Sequence, residues 1–146
     1  MINNSRNQGD FKIMIFIIPA IFYLCAFSCN STKTNSAAPD GPVYRKIKAE
    51  TAYQMMQESK SFVLLDVRSM EEYLDRHIDG AILIPVNELE KRSASELPDK
   101  NTLIFVYCRS GGRSANASRA LVGQGYTQVY DIGGIMDWPY KTVSGD

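Results

Sequence analysis

The chain has no excess of charge of either sign, because 16 lysines and arginines balance 16 aspartates and glutamates. Without a basic face or an acidic tail, nothing in the sequence predicts binding to nucleic acid. Histidine is nearly absent, since His77 is the only one, and no cluster of histidine, cysteine and carboxylate residues has the spacing of metal ligands. We therefore expect no nucleic-acid partner and no metal ion.

The N-terminal residues 1–29 differ in composition from the remainder. Arg6 and Lys12 precede an apolar run at 13–29 that is interrupted only by Pro19, which is typical of an export signal and approaches the ~18 residues of a membrane span. Cys29 follows Ser28 in a way that resembles the lipobox of bacterial lipoproteins. Lipidation, an uncleaved anchor and ordinary cleavage stay open as alternatives, and each places the rest of the chain outside the cytoplasm.

Residues 30–42 are rich in Ser, Thr, Asn, Ala and Pro, which predicts a flexible tether. With such a tether, we expect the domain at 43–146 to be held on the outer side of a bacterial membrane, in the periplasm or at the cell surface.

Within residues 43–146, short apolar runs alternate with helical patterns. The runs at 62–67, 80–85, 102–107 and 127–132 predict buried strands, and the segments 51–59, 70–74, 87–92 and 114–124 predict helices. Ser69 followed by Glu72 is the signature of a capping box at the second helix. The alternation predicts an α/β fold with a mostly parallel central sheet and helices on both faces.

Cys108 is the only cysteine outside the N-terminal segment, because the other two are Cys25 and Cys29. It follows a predicted strand and precedes a glycine-rich turn and a helix. Backbone N–H groups in such a turn and the positive end of the helix favour an anion, and Arg109 and Arg113 add positive charge nearby. A cysteine there is stabilised as a nucleophilic thiolate without a histidine base. The alternative is a buried cysteine that packs as a small apolar residue, against which the polar flanking residues count.

Three ordered motifs carry a family resemblance. The segment from Cys108 has the pattern Cys-Arg-x-Gly-x-Arg-Ser, the segment at 64–85 contains Asp-x-Arg and His-Ile-x-Gly-Ala, and the segment at 133–138 has Gly-Gly-x-x-x-Trp. Together they resemble a single-domain rhodanese, a sulfurtransferase, over essentially everything after residue 42. The resemblance implies transfer of sulfane sulfur from an anionic donor such as thiosulfate to a thiol or cyanide acceptor, through a persulfide on Cys108. It also implies that no metal or organic cofactor is needed.

The resemblance also implies roles for the surrounding residues. Cys108 is the expected catalytic residue, and the persulfide-binding loop consists of Arg109, Ser110, Gly111, Gly112, Arg113 and Ser114. Arg109 is expected to recognise the donor, and Arg113 to brace the loop by hydrogen bonds to its backbone. Asp66 and Arg68 are expected to form a buried ion pair that supports the loop.

Other functions stay open at this point. A rhodanese-like domain can act as a sulfur carrier or a binding module without turnover. Phosphatases and arsenate reductases of the same fold are the other alternative, but their loop is one residue longer than the six residues from Cys108 to Arg113. The sequence departs from the family at Arg76, where members usually have glycine, which predicts either an altered turn or an added positive group.

Overall fold

The computed structural model describes residues 43–145. Outside the described residues lie the predicted export segment 1–29, which contains Cys25 and Cys29, the predicted tether 30–42, and Asp146. Between residues 43 and 145, no helix combines the length and the apolar character that a membrane crossing requires.

The chain alternates strands and helices, as the apolar runs predicted. In chain order the elements are β1 (Arg45–Lys46), α1 (Ala49–Glu58), β2 (Val63–Asp66), α2 (Met70–Asp75), β3 (His77–Ile78), β4 (Ile82–Leu83), α3 (Leu89–Glu96), β5 (Leu103–Cys108), α4 (Gly112–Gly123), β6 (Gln128–Gly134), a short 3₁₀ helix (Ile135–Asp137) and β7 (Thr142–Val143). Five of the strands form one parallel sheet in the order β1-β6-β5-β2-β4. Strands β3 and β7 form a separate antiparallel pair.

Both faces of the central sheet are covered by helices. Successive side chains of a strand point to opposite faces, and on β5 the residues Ile104 and Val106 pack with α3 and α4, whereas Phe105 and Tyr107 pack with α1. All four are fully buried. The predicted α/β fold with a mostly parallel sheet and helices on both faces is therefore confirmed.

The short helix α2 begins with the capping box that the sequence predicted. The N–H of Glu72 donates to the hydroxyl oxygen of Ser69 at 3.2 Å, and the N–H of Ser69 donates to the Glu72 carboxylate at 3.2 Å. These bonds satisfy N–H groups that a helix leaves without partners at its first turn, and they fix the position of the Glu72 side chain.

Some predicted boundaries are wrong for identifiable reasons. The helix predicted at 114–124 begins two residues earlier, because Gly111 has a φ of 98° and turns the chain directly from β5 into α4. The strand predicted at 80–85 is limited to Ile82–Leu83 at the sheet edge, close to Pro85, which has no N–H to donate. The two-residue strands β1, β3 and β7 were not predicted, since so short a segment has no periodicity to read.

Because helices cover both faces of the central sheet, buried side chains on either face of β5 should contribute to stability. Ile104→Ala and Phe105→Ala should each lower the free energy of unfolding by about 2–5 kcal/mol, because each leaves a cavity in a filled core. Ile82→Ala on the edge strand, where the side chain is 39% exposed, is the control and should cost much less. Urea unfolding of the three variants measures this, and a small cost for either buried residue would contradict a core on that face.

Candidate active site

The candidate site lies where two neighbouring parallel strands end. Strand β5 ends at Cys108, and the adjacent strand β2 ends at Asp66, which is in register with Tyr107. Ligands of open parallel sheets bind beyond the carboxyl ends of the strands. The structure thus brings the predicted nucleophile and the predicted supporting ion pair to the same edge.

The sulfur of Cys108 faces N–H groups of the loop that follows it. The N–H of Gly111 donates to Sγ at 3.1 Å, and the hydroxyl oxygen of Ser114 lies 3.8 Å from Sγ. Burial raises the pKa of Cys108, but the N–H groups of Ser114, Gly111 and Ser110 oppose it and hold the pKa below its ordinary value. The surroundings therefore favour the thiolate.

The side chain of Cys108 is more buried than the polar flanking residues suggested. It is 1% exposed and belongs to the core cluster that packs against α3 and α4. The expectation that the polar sequence around Cys108 keeps it out of the core is therefore wrong. One side of the sulfur contacts the core, and the other side contacts the N–H donors of the loop.

The loop that follows β5 is shorter than the predicted persulfide-binding loop, which ran from Arg109 to Ser114. Only Arg109, Ser110 and Gly111 lie between β5 and α4, because Gly112, Arg113 and Ser114 already belong to the helix. Ser114 thus presents its N–H to the sulfur from the first turn of α4, where the helix dipole adds positive potential. The N–H groups around the sulfur thus come from a tight turn and from the N-terminus of a helix.

Gly134 allows the loop to lie directly on strand β6. A Cβ atom at position 134 would lie 2.7 Å from the Cα of Ser110 and 2.8 Å from the carbonyl carbon of Arg109. Distances this short require one backbone segment to move. The absence of a side chain at Gly134 therefore sets the height of the loop above the sheet.

Arg113 braces the site through a carboxylate and not through backbone atoms, which corrects the prediction from the sequence. Its guanidinium group donates two hydrogen bonds, of 2.6 and 2.7 Å, to the carboxylate of Glu72. The bonds from Arg113 and the capping bond from Ser69, which outweigh burial, lower the pKa of Glu72 to about 2. This bidentate pair links the first turn of α4 to the first turn of α2.

Asp66 and Arg68 form the buried ion pair that the sequence predicted. The guanidinium of Arg68 donates to both carboxylate oxygens of Asp66, at distances between 2.6 and 2.9 Å, and the pair is almost inaccessible to solvent. Arg68 also donates to the carbonyl oxygen of Arg76 at 2.6 Å. The pair therefore fixes the chain after α2, and none of these bonds reaches the loop itself.

Arg109 and Arg76 line the same cavity of about 400 Å³, beside the loop. Arg76 has a φ of −164°, an extended conformation that any residue can adopt. Arginine can therefore stand where the family usually has glycine without altering the turn. Of the two expectations for Arg76, the added positive group is the one that the geometry bears out. Both side chains are exposed.

Asp131, which was not predicted from the sequence, is fully buried behind the loop. Its carboxylate accepts hydrogen bonds from the Ser114 hydroxyl at 2.7 Å and from the Gly133 N–H at 3.0 Å. The signal that could have identified it is a carboxylate within an otherwise apolar strand, in the sequence VYDI. The contacts of His77 are with Tyr73: the two rings stack, and His77 Nδ1 lies 2.9 Å from the Tyr73 carbonyl oxygen.

Residues 48–140 match the family described as Rhodanese-like domain. The chain belongs to this family.

Within residues 43–145, no three His, Cys, Asp or Glu side chains are grouped so that they could hold a metal ion.

Several relatives of this rhodanese-like domain have names that refer to sulfur chemistry. The thiosulfate sulfurtransferase PspE of Escherichia coli is 42% identical over 56% of this chain and 78% of its own length. The putative sulfur carrier protein YrkF of Bacillus subtilis is 38% identical over 77% of this chain and 57% of its own length. A solved structure described as rhodanese with anions from E. coli is 40% identical, with a TM-score of 0.56, and the match covers 58% of this chain and all of that one.

Gly134→Ala should disturb the site selectively. The added methyl group pushes the loop away from β6 and moves its N–H groups away from the Cys108 sulfur, so a smaller fraction of the thiol is ionised. We expect the rate of Cys108 alkylation by iodoacetamide, followed by mass spectrometry, to fall accordingly.

Gly123→Ala is the matched control, because a Cβ atom at Gly123 meets nothing within 4 Å. This variant should keep the alkylation rate of the parent protein. Equal rates for the two variants would contradict the role assigned to Gly134.

Proposed function

We propose that this rhodanese-like domain is a sulfurtransferase that carries sulfane sulfur on Cys108. The observation that supports it best is the set of N–H groups from Ser110, Gly111 and Ser114 around the sulfur, which favours the charged form despite burial. The same groups are placed to stabilise the negative charge of a persulfide. The names of the relatives favour the same chemistry.

The reaction proceeds in two steps. The Cys108 thiolate attacks the outer sulfur atom of thiosulfate, a new S–S bond forms on the protein, and sulfite leaves with the electron pair of the broken bond. Cyanide or a thiolate acceptor then attacks the outer sulfur of the persulfide, and Cys108 leaves as a thiolate. Each step conserves charge and needs no further reactant.

The burial of Cys108 restricts the donors. Because the side chain is 1% exposed, a donor has to present a terminal sulfur atom that fits between the loop residues. Thiosulfate has such an atom at the end of a small anion. Arg109, exposed beside the cavity of about 400 Å³, recognises the sulfonate end. Arg76 adds positive charge to the same cavity, whose lining also includes Arg68 and the carboxylates of Glu72 and Asp75.

Cys108→Ser tests the proposed reaction. The variant should lose transfer of sulfur from thiosulfate to cyanide, down to the uncatalysed rate, because no thiolate remains to accept sulfur. Mass spectrometry of the parent protein after exposure to thiosulfate should show one added sulfur atom on the peptide that contains Cys108. The control is Cys25→Ser, which should retain activity, and undiminished transfer by Cys108→Ser would reject the proposal.

The name of the YrkF relative supports a second candidate, a sulfur carrier without turnover of its own. The same experiment separates the two functions. A carrier would acquire the added sulfur on Cys108 and would fail to pass it to cyanide at a catalytic rate.

Arg109→Ala tests donor recognition. The KM for thiosulfate should rise about tenfold, which corresponds to one lost hydrogen bond to a charged group, and the KM for an uncharged donor of sulfane sulfur should change less. Arg119→Ala serves as the control, because Arg119 is exposed on α4 and bonds to Asn116. Equal effects of Arg109→Ala on the two donors would contradict its role.

A further inference from the structure

The cavity beside the loop is larger than thiosulfate needs. Its volume is about 400 Å³, which lies in the range of sites that enclose organic ligands. Its lining includes charged side chains as well as the apolar side chains of Ile135 and Met136. Thiosulfate is a small inorganic anion without an apolar part, so its contacts use only part of this lining.

Two arginines of the lining are free to bind a ligand. Of its other charged residues, Arg68 and Glu72 are held in ion pairs outside the cavity lining or across it. Within residues 43–145, no side-chain hydrogen bond or ion pair holds the guanidinium group of Arg76 or of Arg109. Asp75 is the remaining unpaired charge of the lining, so the positive charges of the two arginines outweigh it.

The backbone of Arg76 is fixed at both of its polar groups. Its N–H donates to the carbonyl oxygen of Glu72 at 3.2 Å, and its own carbonyl oxygen accepts from the buried guanidinium of Arg68 at 2.6 Å. Arg109 belongs instead to the loop that follows Cys108. The two free guanidinium groups thus enter the cavity from different elements, and they can bind two separate anionic groups of one ligand.

Met136 supplies an apolar surface to the same cavity. Its side chain is 64% exposed, more than any other large apolar side chain between residues 43 and 145. Its N–H donates to the carbonyl oxygen of Arg109 at 3.3 Å, so the residue is attached to the loop. Covering this side chain with an apolar part of a ligand removes both surfaces from water, and a methionine adapts to apolar groups of different shape.

We propose that Arg76 and Met136 select an organic donor of sulfane sulfur, which has an apolar body and a second anionic group such as a carboxylate. Arg109 binds the group that carries the sulfane sulfur, Met136 covers the apolar body, and Arg76 binds the carboxylate. The Cys108 thiolate attacks the outer sulfur, an S–S bond forms on the protein, and the organic sulfinate or thiolate leaves with the electron pair of the broken bond. This inference rests on the proposed function and names the class of donor for the same site.

Three donors test the role of Arg76 in the full chain, with cyanide as the acceptor. Thiosulfate is a compact dianion, benzenethiosulfonate is an apolar monoanion, and 4-carboxybenzenethiosulfonate is an apolar dianion. Arg76→Gln should lower kcat/KM for the carboxylated donor about tenfold, as for one lost hydrogen bond to a charged group, and should lower it less for the other two. A change in the net charge of the cavity alone would affect the two dianions equally.

Two further arginine variants complete this series. Arg76→Lys should recover part of the preference for the carboxylated donor, because it keeps the charge but loses the planar guanidinium group. Arg119→Gln is the matched control, since Arg119 is exposed on α4 and bonds to Asn116, and it should keep the preference of the parent protein. An equal fall for all three donors in Arg76→Gln would overturn the role of Arg76.

Met136→Ala tests the apolar contact. It should lower kcat/KM for both aromatic donors about fourfold, as for about one methylene group left in water, and should lower it less for thiosulfate. Met70→Ala is the matched control, because Met70 is 59% exposed and lines a separate cavity. An equal effect of the two substitutions, or an equal effect of Met136→Ala on all three donors, would overturn the role of Met136.

A second measurement does not require sulfur transfer. Benzenesulfonate and 4-carboxybenzenesulfonate contain no sulfane sulfur, and either compound should protect Cys108 from alkylation by iodoacetamide when it occupies the cavity. The carboxylated compound should protect at an about tenfold lower concentration, and Arg76→Gln should remove this difference. Equal protection by the two compounds in the parent protein would refute the donor class. The expected preference in a protein that transfers no sulfur would refute only the proposed function.

Discussion

The site depends on a balance between burial and hydrogen bonding at one sulfur atom. Burial of Cys108 opposes ionisation, and N–H groups of Ser110, Gly111 and Ser114 favour it. Those donors are backbone atoms, so their direction is set by the path of the chain and not by side-chain rotamers. The reactivity of Cys108 therefore depends on how accurately the fold holds three residues of backbone.

Several parts of the fold hold this backbone in place. Gly111 has a positive φ and turns the chain into α4, and Gly134 lets the loop lie against β6 without a Cβ between them. The ion pair between Glu72 and Arg113 joins α4 to α2 from the solvent side. Because the capping box at Ser69 orients Glu72, a local helix signal contributes to the position of a loop far away in the sequence.

Much of this arrangement could be predicted from the sequence. The apolar runs predicted the central strands, because strands that are buried on both faces have a continuous apolar pattern. The glycines after Cys108 predicted a turn whose N–H groups favour an anion. The burial of Cys108 could not be predicted, since it depends on how α3 and α4 pack over the end of β5. The partner of Arg113 and the position of Asp131 depend on contacts between residues 41 and 17 positions apart, and no local pattern encodes such contacts.

The burial of the thiol and its reactivity are consistent once the polarity of its surroundings is considered. Apolar contacts on one side keep water from the sulfur, which strengthens the electrostatic effect of the N–H groups on the other side. The most direct test of this account is an ultraviolet titration of the thiolate absorbance, with Cys108→Ser as the blank. The account predicts that the thiolate of Cys108 forms at a pH below the ordinary range for cysteine, near 8.5, and a thiol that stays protonated above that range would contradict it.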